Sequence, residues 1–170
     1  MIKKILIGLG AVLILIQFIR PDKNDSDDTA YSMFNKYEVS EDVKYVLDVS
    51  CMDCHSNKTE YPWYSNVQPV AWFLNDHVVD GKKHLNFSNF TKLPLAIQYH
   101  KFEEIVEMVE EKEMPIPSYT YLGLHPEANL TQGQQDKIMD WSKAQMAYLK
   151  ASYPADSLVR KKRPEKSPSK

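Results

Sequence analysis

The chain has two cysteines, and both fall in one short stretch with a histidine, Cys51-Met52-Asp53-Cys54-His55. The spacing C-x-x-C-H is the attachment signal of c-type haem. One helical turn separates the sulfurs, so each can form a thioether with one vinyl group of the same porphyrin while His55 reaches the iron. Two other chemistries use similar residues. A thiol–disulfide pair sits at a helix start after a strand, within a βαβ alternation, and no such alternation is visible in this sequence. A zinc site could draw on Cys51, Cys54 and two of His55, His77, His84, His100 and His125, but those histidines lack the usual H-x₃₋₅-H spacing after the cysteines. The sequence therefore predicts one covalently attached haem per chain, with His55 as the proximal ligand to iron.

The iron then has one further position. Met114 is the leading candidate, because it follows an amphipathic segment, Pro115 fixes a local turn, and a loop methionine can approach the face opposite His55. His/Met ligation suits electron transfer and raises the potential. His77 competes, since it lies on the apolar face of a predicted helix, where it would ligate the iron or bond a haem propionate. An open distal site is the third possibility. Met108, Met139 and Met146 read as packing residues inside helices, and Met52 within the motif cannot reach the opposite face. Trp63, together with Tyr61, Tyr64, Trp72 and Trp141, offers rings to wall the haem. His84 and His100 read as exposed, and His125 before Pro126 as a turn cap.

The elements that must position these residues are helical. Ser40 is a candidate N-cap for a helix with Val43, Val46, Leu47 and Ser50 on one stripe, running straight into Cys51. A second helix starts at Pro69, stops at Gly81 and turns Val70, Phe73, Leu74, His77 and Val78 inward. A third covers residues 96–113, with Phe102, Ile105, Val106 and Val109 inward and its glutamates wet; Pro115 ends it, leaving Met114 at the exit. Thr131 and Gln134 form a capping box for a last helix that uses Ile138, Trp141, Ala144, Tyr148 and Leu149. Residues 59–68 and 85–95 read as ring-rich loops. Four helices without an alternating strand predict a small all-α domain around the haem. Its expected bounds are 39–153, after a linker at 21–38 and before a disordered basic tail at 154–170.

The apolar run at 5–19, after Lys3-Lys4 and before Arg20-Pro21, reads as an N-terminal membrane-anchor helix over residues 1–20. As a helix those fifteen residues span about 22 Å, so Met1 and Ile2 must extend it, with the lysines snorkelling. No Ala-x-Ala-like site follows, which favours an uncleaved signal anchor. The positive-inside bias then predicts a single-pass protein of the cytoplasmic membrane, its N-terminus inside and its haem domain on the periplasmic, extracytoplasmic side.

Several separate stretches together resemble a known family. Cys51-Met52-Asp53-Cys54-His55-Ser56-Asn57, Tyr61-Pro62-Trp63-Tyr64-Ser65-Asn66, Trp72, His77, Gly81, Leu85-Asn86-Phe87-Ser88, Met114-Pro115, His125-Pro126 and Trp141 occur in the order seen in the bacterial haem-binding domain family, which a C-x-x-C-H motif defines. The resemblance covers about residues 40–145. It implies a small envelope haem protein with no established catalytic activity. A looser similarity, in Met114-Pro115, Leu130-Thr131 and Trp141, links the second half to single-haem cytochromes c and implies a small cytochrome c-like helical domain with Met114 as the distal ligand.

Charge bounds the partners. The chain carries −2 overall, but residues 21–158 hold 22 carboxylates against 12 lysines and no arginine. Nucleic-acid binding is excluded for such a surface, since phosphates need basic residues. Envelope redox proteins with basic patches, and the membrane through the N-terminal helix, are the expected partners. One-electron transfer rather than enzymatic turnover is the expected function. The alternative is a haem sensor, or a peroxidase-like protein with an exchangeable distal site and His77 as acid/base.

Overall fold

The computed structural model describes residues 1–160. Among them, seven α-helices and six short 3₁₀ turns follow one another; the extended pairing is a single bridge between Asp25 and Lys58. The helices are α1 (Ile2–Ile16), α2 (Glu41–Ser50), α3 (Met52–His55), α4 (Val70–His84), α5 (Leu95–Glu110), α6 (Pro117–Thr120) and α7 (Gln132–Ser152). The all-α expectation agrees with this, with α3 and α6 added to the four longer helices of the domain.

The N-terminal expectation is corrected. α1 is a 15-residue helix with no buried residue, and crossing a bilayer takes about 20 apolar residues. No helix among the described residues is long and apolar enough to cross a membrane. Beyond Ile16 the apolar run leaves the helix and is hydrogen-bonded to the start of α4. Gln17 Nε2 donates to Gln68 O at 3.3 Å, Gln68 N–H donates back to Gln17 Oε1 at 2.9 Å, and Gln68 Nε2 and Trp72 Nε1 both donate to Ile19 O. The membrane-anchor helix and the single-pass topology fall with this finding.

Residues 21–38, expected as a linker, are packed. Ser32 caps a 3₁₀ turn at Met33–Asn35 by accepting from Phe34 N–H, and that turn delivers Met33 and Tyr37 fully into the core. Asn24 ties the preceding stretch down: its backbone N–H donates to Tyr61 Oη, and its side chain to Ser56 O and Thr59 Oγ1. At the other end, Ala155–Leu158 forms a 3₁₀ turn against α5, and Leu158 packs on the core. The basic run from Lys161 onward lies outside the described residues.

The core forms where α5 packs along α7 and α2 packs on α7. Aromatic edges fill it: Tyr37 meets Phe102 at 4.9 Å and Phe90 at 5.8 Å, and Phe102 meets Trp141 at 5.6 Å, each near or approaching the T-shaped arrangement that ring quadrupoles favour. Two of these rings have their polar tips paired. Trp141 Nε1 donates to Glu38 O, and Tyr37 Oη donates to Gln98 Oε1. Desolvation holds the Tyr37 hydroxyl above its ordinary pKa.

Helix ends follow local chemistry. The capping box at Thr131 and Gln134 is present in full. Ser40 stands at the N-cap of α2, but its hydroxyl donates to Asp42 Oδ1 instead of capping the backbone. α5 stops at Glu110, earlier than the proline requires. Lys112 adopts φ 59°, and its N–H bonds Val109 O while Glu113 N–H bonds Met108 O, the paired bonds of a Schellman turn. α4 runs past Gly81 to His84, and the apolar stripe expected on it shifts: Ala71 and Val78 are buried, while Phe73 is 51% exposed.

Candidate functional site

α3 is the single turn that holds the Cys-Met-Asp-Cys-His motif. His55 N–H and Cys54 N–H both donate to Cys51 O, at 2.9 and 3.2 Å, which closes the turn. A 3.6-residue period brings positions 51 and 54 to one side, and both cysteines, as free thiols, line the same cavity. Burial pushes both thiols up to about 11. That is opposite to the depressed pKa an exchange-active thiol needs.

His55 is oriented by α4. Its Nδ1 lies 2.9 Å from Gly81 O and 3.0 Å from Leu85 O. A carbonyl oxygen only accepts, so the proton sits on Nδ1 and the lone pair on Nε2. An imidazole whose second nitrogen donates to backbone carbonyl is the standard arrangement of a metal-ligating histidine. Burial, before the two carbonyl contacts that oppose it, holds this histidine below its ordinary pKa and keeps it neutral. Phe87 stands edge-on to the ring at 6.4 Å.

Gly81 makes this approach possible. A Cβ built there would lie 2.6 Å from Cys54 O and 3.1 Å from Cys54 Cβ. The residue is a contact point between α4 and the motif turn, which is why it does not end the helix.

The cavity has a volume of about 780 Å³, within the range of cofactor sites. α3 and the end of α2 give one wall, through Ser50, Cys51, Cys54 and His55. α4 contributes Asp76, His77, Asp80, Gly81 and His84, and α5 contributes Lys101, Glu104, Ile105, Met108 and Val109. Met114, Pro115, Ile116 and Tyr119 form a strap across it, and Leu47, Phe87 and Ile138 come from the core side.

The structure thus brings Cys51, Cys54, His55, His77 and Met114 to one cavity. Met114 leaves α5 with its N–H on Met108 O at 3.1 Å. The imidazole of His77 donates from Nδ1 to Phe73 O at 2.8 Å, which leaves Nε2 with its lone pair. Trp63 is not part of the site. It is 79% exposed and absent from the cavity wall, because the 3₁₀ turn Trp63–Asn66 buries Ser65 and swings the indole outward. The aromatic rings that do line the cavity are Phe87 and Tyr119, beside the imidazoles of His55, His77 and His84. Among the described residues no group of three His, Cys, Asp or Glu side chains converges as a zinc centre requires.

Some lining residues are not evident from the motifs. Tyr119 Oη donates to Asp53 Oδ2 at 2.7 Å, and Asp53 Oδ1 accepts Glu60 N–H at 2.8 Å, so the second variable residue of the motif pins the strap. His125 does not cap its turn with its side chain. Its ring stacks on Tyr119 at 4.0 Å, and its Nε2 shares a 2.6 Å hydrogen bond with Tyr64 Oη. Lys101, Glu104, Ile105 and Met108 occupy one stripe of α5 at offsets of three and four, a signal present in the sequence but mixed in polarity.

The donor set fits a haem: two sulfurs one turn apart, a neutral imidazole with its outer nitrogen committed, and thioether side chains on the wall. Residues 11–144 match the family model of the haem-binding domain. Searches of curated proteins and of solved structures found no match. With most of its length covered by that match, the chain belongs to the haem-binding domain family and is a haem protein.

Proposed function

We propose that Cys51 and Cys54 hold one haem covalently as a c-type group, that His55 and Met114 ligate its iron, and that the protein passes single electrons between redox proteins instead of catalysing a reaction. The observation that carries this reading is the pair of carbonyls on His55 Nδ1, which leaves Nε2 as a neutral, oriented base. When bound, the haem supplies a one-electron iron couple. Cys51 and Cys54 would hold the group as thioethers to its two vinyl substituents, and their one-turn spacing suits a single porphyrin. Neutral thiols at this site also resist disulfide exchange. Met114 offers a soft, uncharged donor from a segment whose chain direction Lys112 and Pro115 set. The surplus of carboxylates over lysines steers a partner with a basic patch.

One observation favours a second reading. His77 shares the cavity wall, and its Nε2 is unprotonated in the neutral ring. An exchangeable distal site with His77 as acid/base would make the protein a small-molecule sensor or a peroxidase-like enzyme.

The ferric spectrum of the full chain, matured in a host that attaches c-type haem, separates the two. A near-infrared methionine-to-iron charge-transfer band and a thioether-type pyridine haemochrome are the expected result. A high-spin spectrum defeats His/Met ligation and advances the second reading, while a colourless protein defeats both.

A further inference from the structure

The cavity wall contains one lysine and no arginine among the described residues, and that lysine is Lys101 on α5. Its side chain is 17% exposed. Its ammonium pairs with Glu104, one turn further along. The pairing is incomplete. Glu104 Oε1 also lies 2.9 Å from His100 Nε2, so the carboxylate faces the imidazole as well as the ammonium. An ammonium has three N–H donors, and no second acceptor bonds Lys101 among the described residues.

The other charged groups of the wall point to Lys101 by exclusion. Asp53, Asp76, Asp80 and Glu107 repel an anion. His84 faces Asp80 at 3.7 Å and is largely exposed. His77 has committed its Nδ1 proton to Phe73 O. A haem carries two propionate carboxylates into whatever cavity holds it, and a carboxylate leaving water demands a charge-assisted partner.

We propose that Lys101 binds a haem propionate through its free ammonium donors, with the His100–Glu104 pair positioning it from behind. The assignment rests on the reading of this cavity as the haem site. It adds to that reading an anchor for the porphyrin's acidic edge, on α5 and apart from the cysteine motif.

The test compares haemin with haemin dimethyl ester, which lacks the two negative charges. The full-length apoprotein, thiols kept reduced, is titrated with each by Soret absorbance. Wild type is expected to bind haemin about tenfold more tightly than the ester. K101M should bind haemin no better than the ester, and K101R should recover the preference, which shows that the fold has survived substitution at this position. A preference undiminished in K101M, or no preference in wild type, overturns the proposal. A wild-type protein that binds neither compound overturns the assignment of the cavity, and the proposal with it.

Discussion

Replacing Met114 by alanine removes the thioether and little else, since this half-buried residue sits on the strap at the cavity edge. On the proposed ligation, the ferric M114A protein loses the near-infrared band. With His77 on the same wall, the variant has a nitrogen donor in reserve, so M114A should turn low-spin with nitrogen ligation or high-spin, and the M114A/H77A pair high-spin throughout. An M114A spectrum identical to wild type removes this methionine from the iron. A second substitution probes the motif from behind. Gly81→Ala gains up to about 1 kcal/mol of helix propensity, but its Cβ would meet backbone, Cys54 O, at 2.6 Å. Overpacking of that kind costs about 1–3 kcal/mol. Net destabilisation in a denaturant titration, with lower haem content on expression, is the expected outcome; a stabilised variant would show that the contact is soft. At this scale local spacing in the sequence singles out Cys51, Cys54 and His55, and the structure places the three on one cavity wall. The sequence was not readable for Trp63, Tyr119 or Lys101. An aromatic or a lysine has many possible neighbours, and only the tertiary packing decides which side of a turn it occupies.

Between residues and the whole fold, the strap from Met114 to Tyr119 matters most. Its short α6 buries no residue, so apolar packing does little to hold it in place. The contact that ties it to the motif is Tyr119 Oη to Asp53 Oδ2, reinforced by His125 stacked on the tyrosine ring. Desolvation first, and the Asp53 carboxylate second, raise the Tyr119 pKa, so the hydroxyl remains a donor across the neutral range. Hydrogen bonds to a charged acceptor contribute about 1.5–3 kcal/mol, and Tyr119→Phe deletes this one while keeping the ring stack. Amide exchange in residues 116–121 should then accelerate by about tenfold or more, and the methionine band should disappear at a lower pH than in wild type. Unchanged exchange would mean that the strap is held elsewhere. The long elements were legible because their signals are local: the Thr131 box and the α5 stripe of Phe102, Ile105 and Val109 appear as the periodicity requires. Gly81 misled because glycine signals both helix ends and close helix contacts, and the choice depends on Cys54, distant in sequence. Residues 21–38 misled because their polar composition concealed two anchors, Met33 and Tyr37.

For the molecule as a whole, the relevant quantity is charge. Residues 21–158 hold 22 carboxylates and 12 lysines, and five of those carboxylates, Asp53, Asp76, Asp80, Glu104 and Glu107, stand around the cavity. Lys101 is the one lysine among them, and Glu104 already engages it. The potential around the cavity is therefore negative, and a reagent approaching the proposed haem site feels that field before contact. At about 10 mM ionic strength the Debye length is about 30 Å, and at about 150 mM it is about 8 Å, shorter than the reach of the collective field. On the proposed function, electron transfer to and from the haem should respond accordingly. Reduction of the ferric holoprotein by the cation hexaammineruthenium(II) should slow as salt rises over that range, and reduction by dithionite, an anion, should quicken. Stopped-flow measurement of both reagents against sodium chloride separates field from chemistry, because potential and haem exposure are common to the pair while the sign of the charge is not. Parallel salt dependences would place electron transfer on a part of the surface away from these carboxylates; opposite slopes would mean that the acidic rim of the cavity is the face a basic redox partner meets.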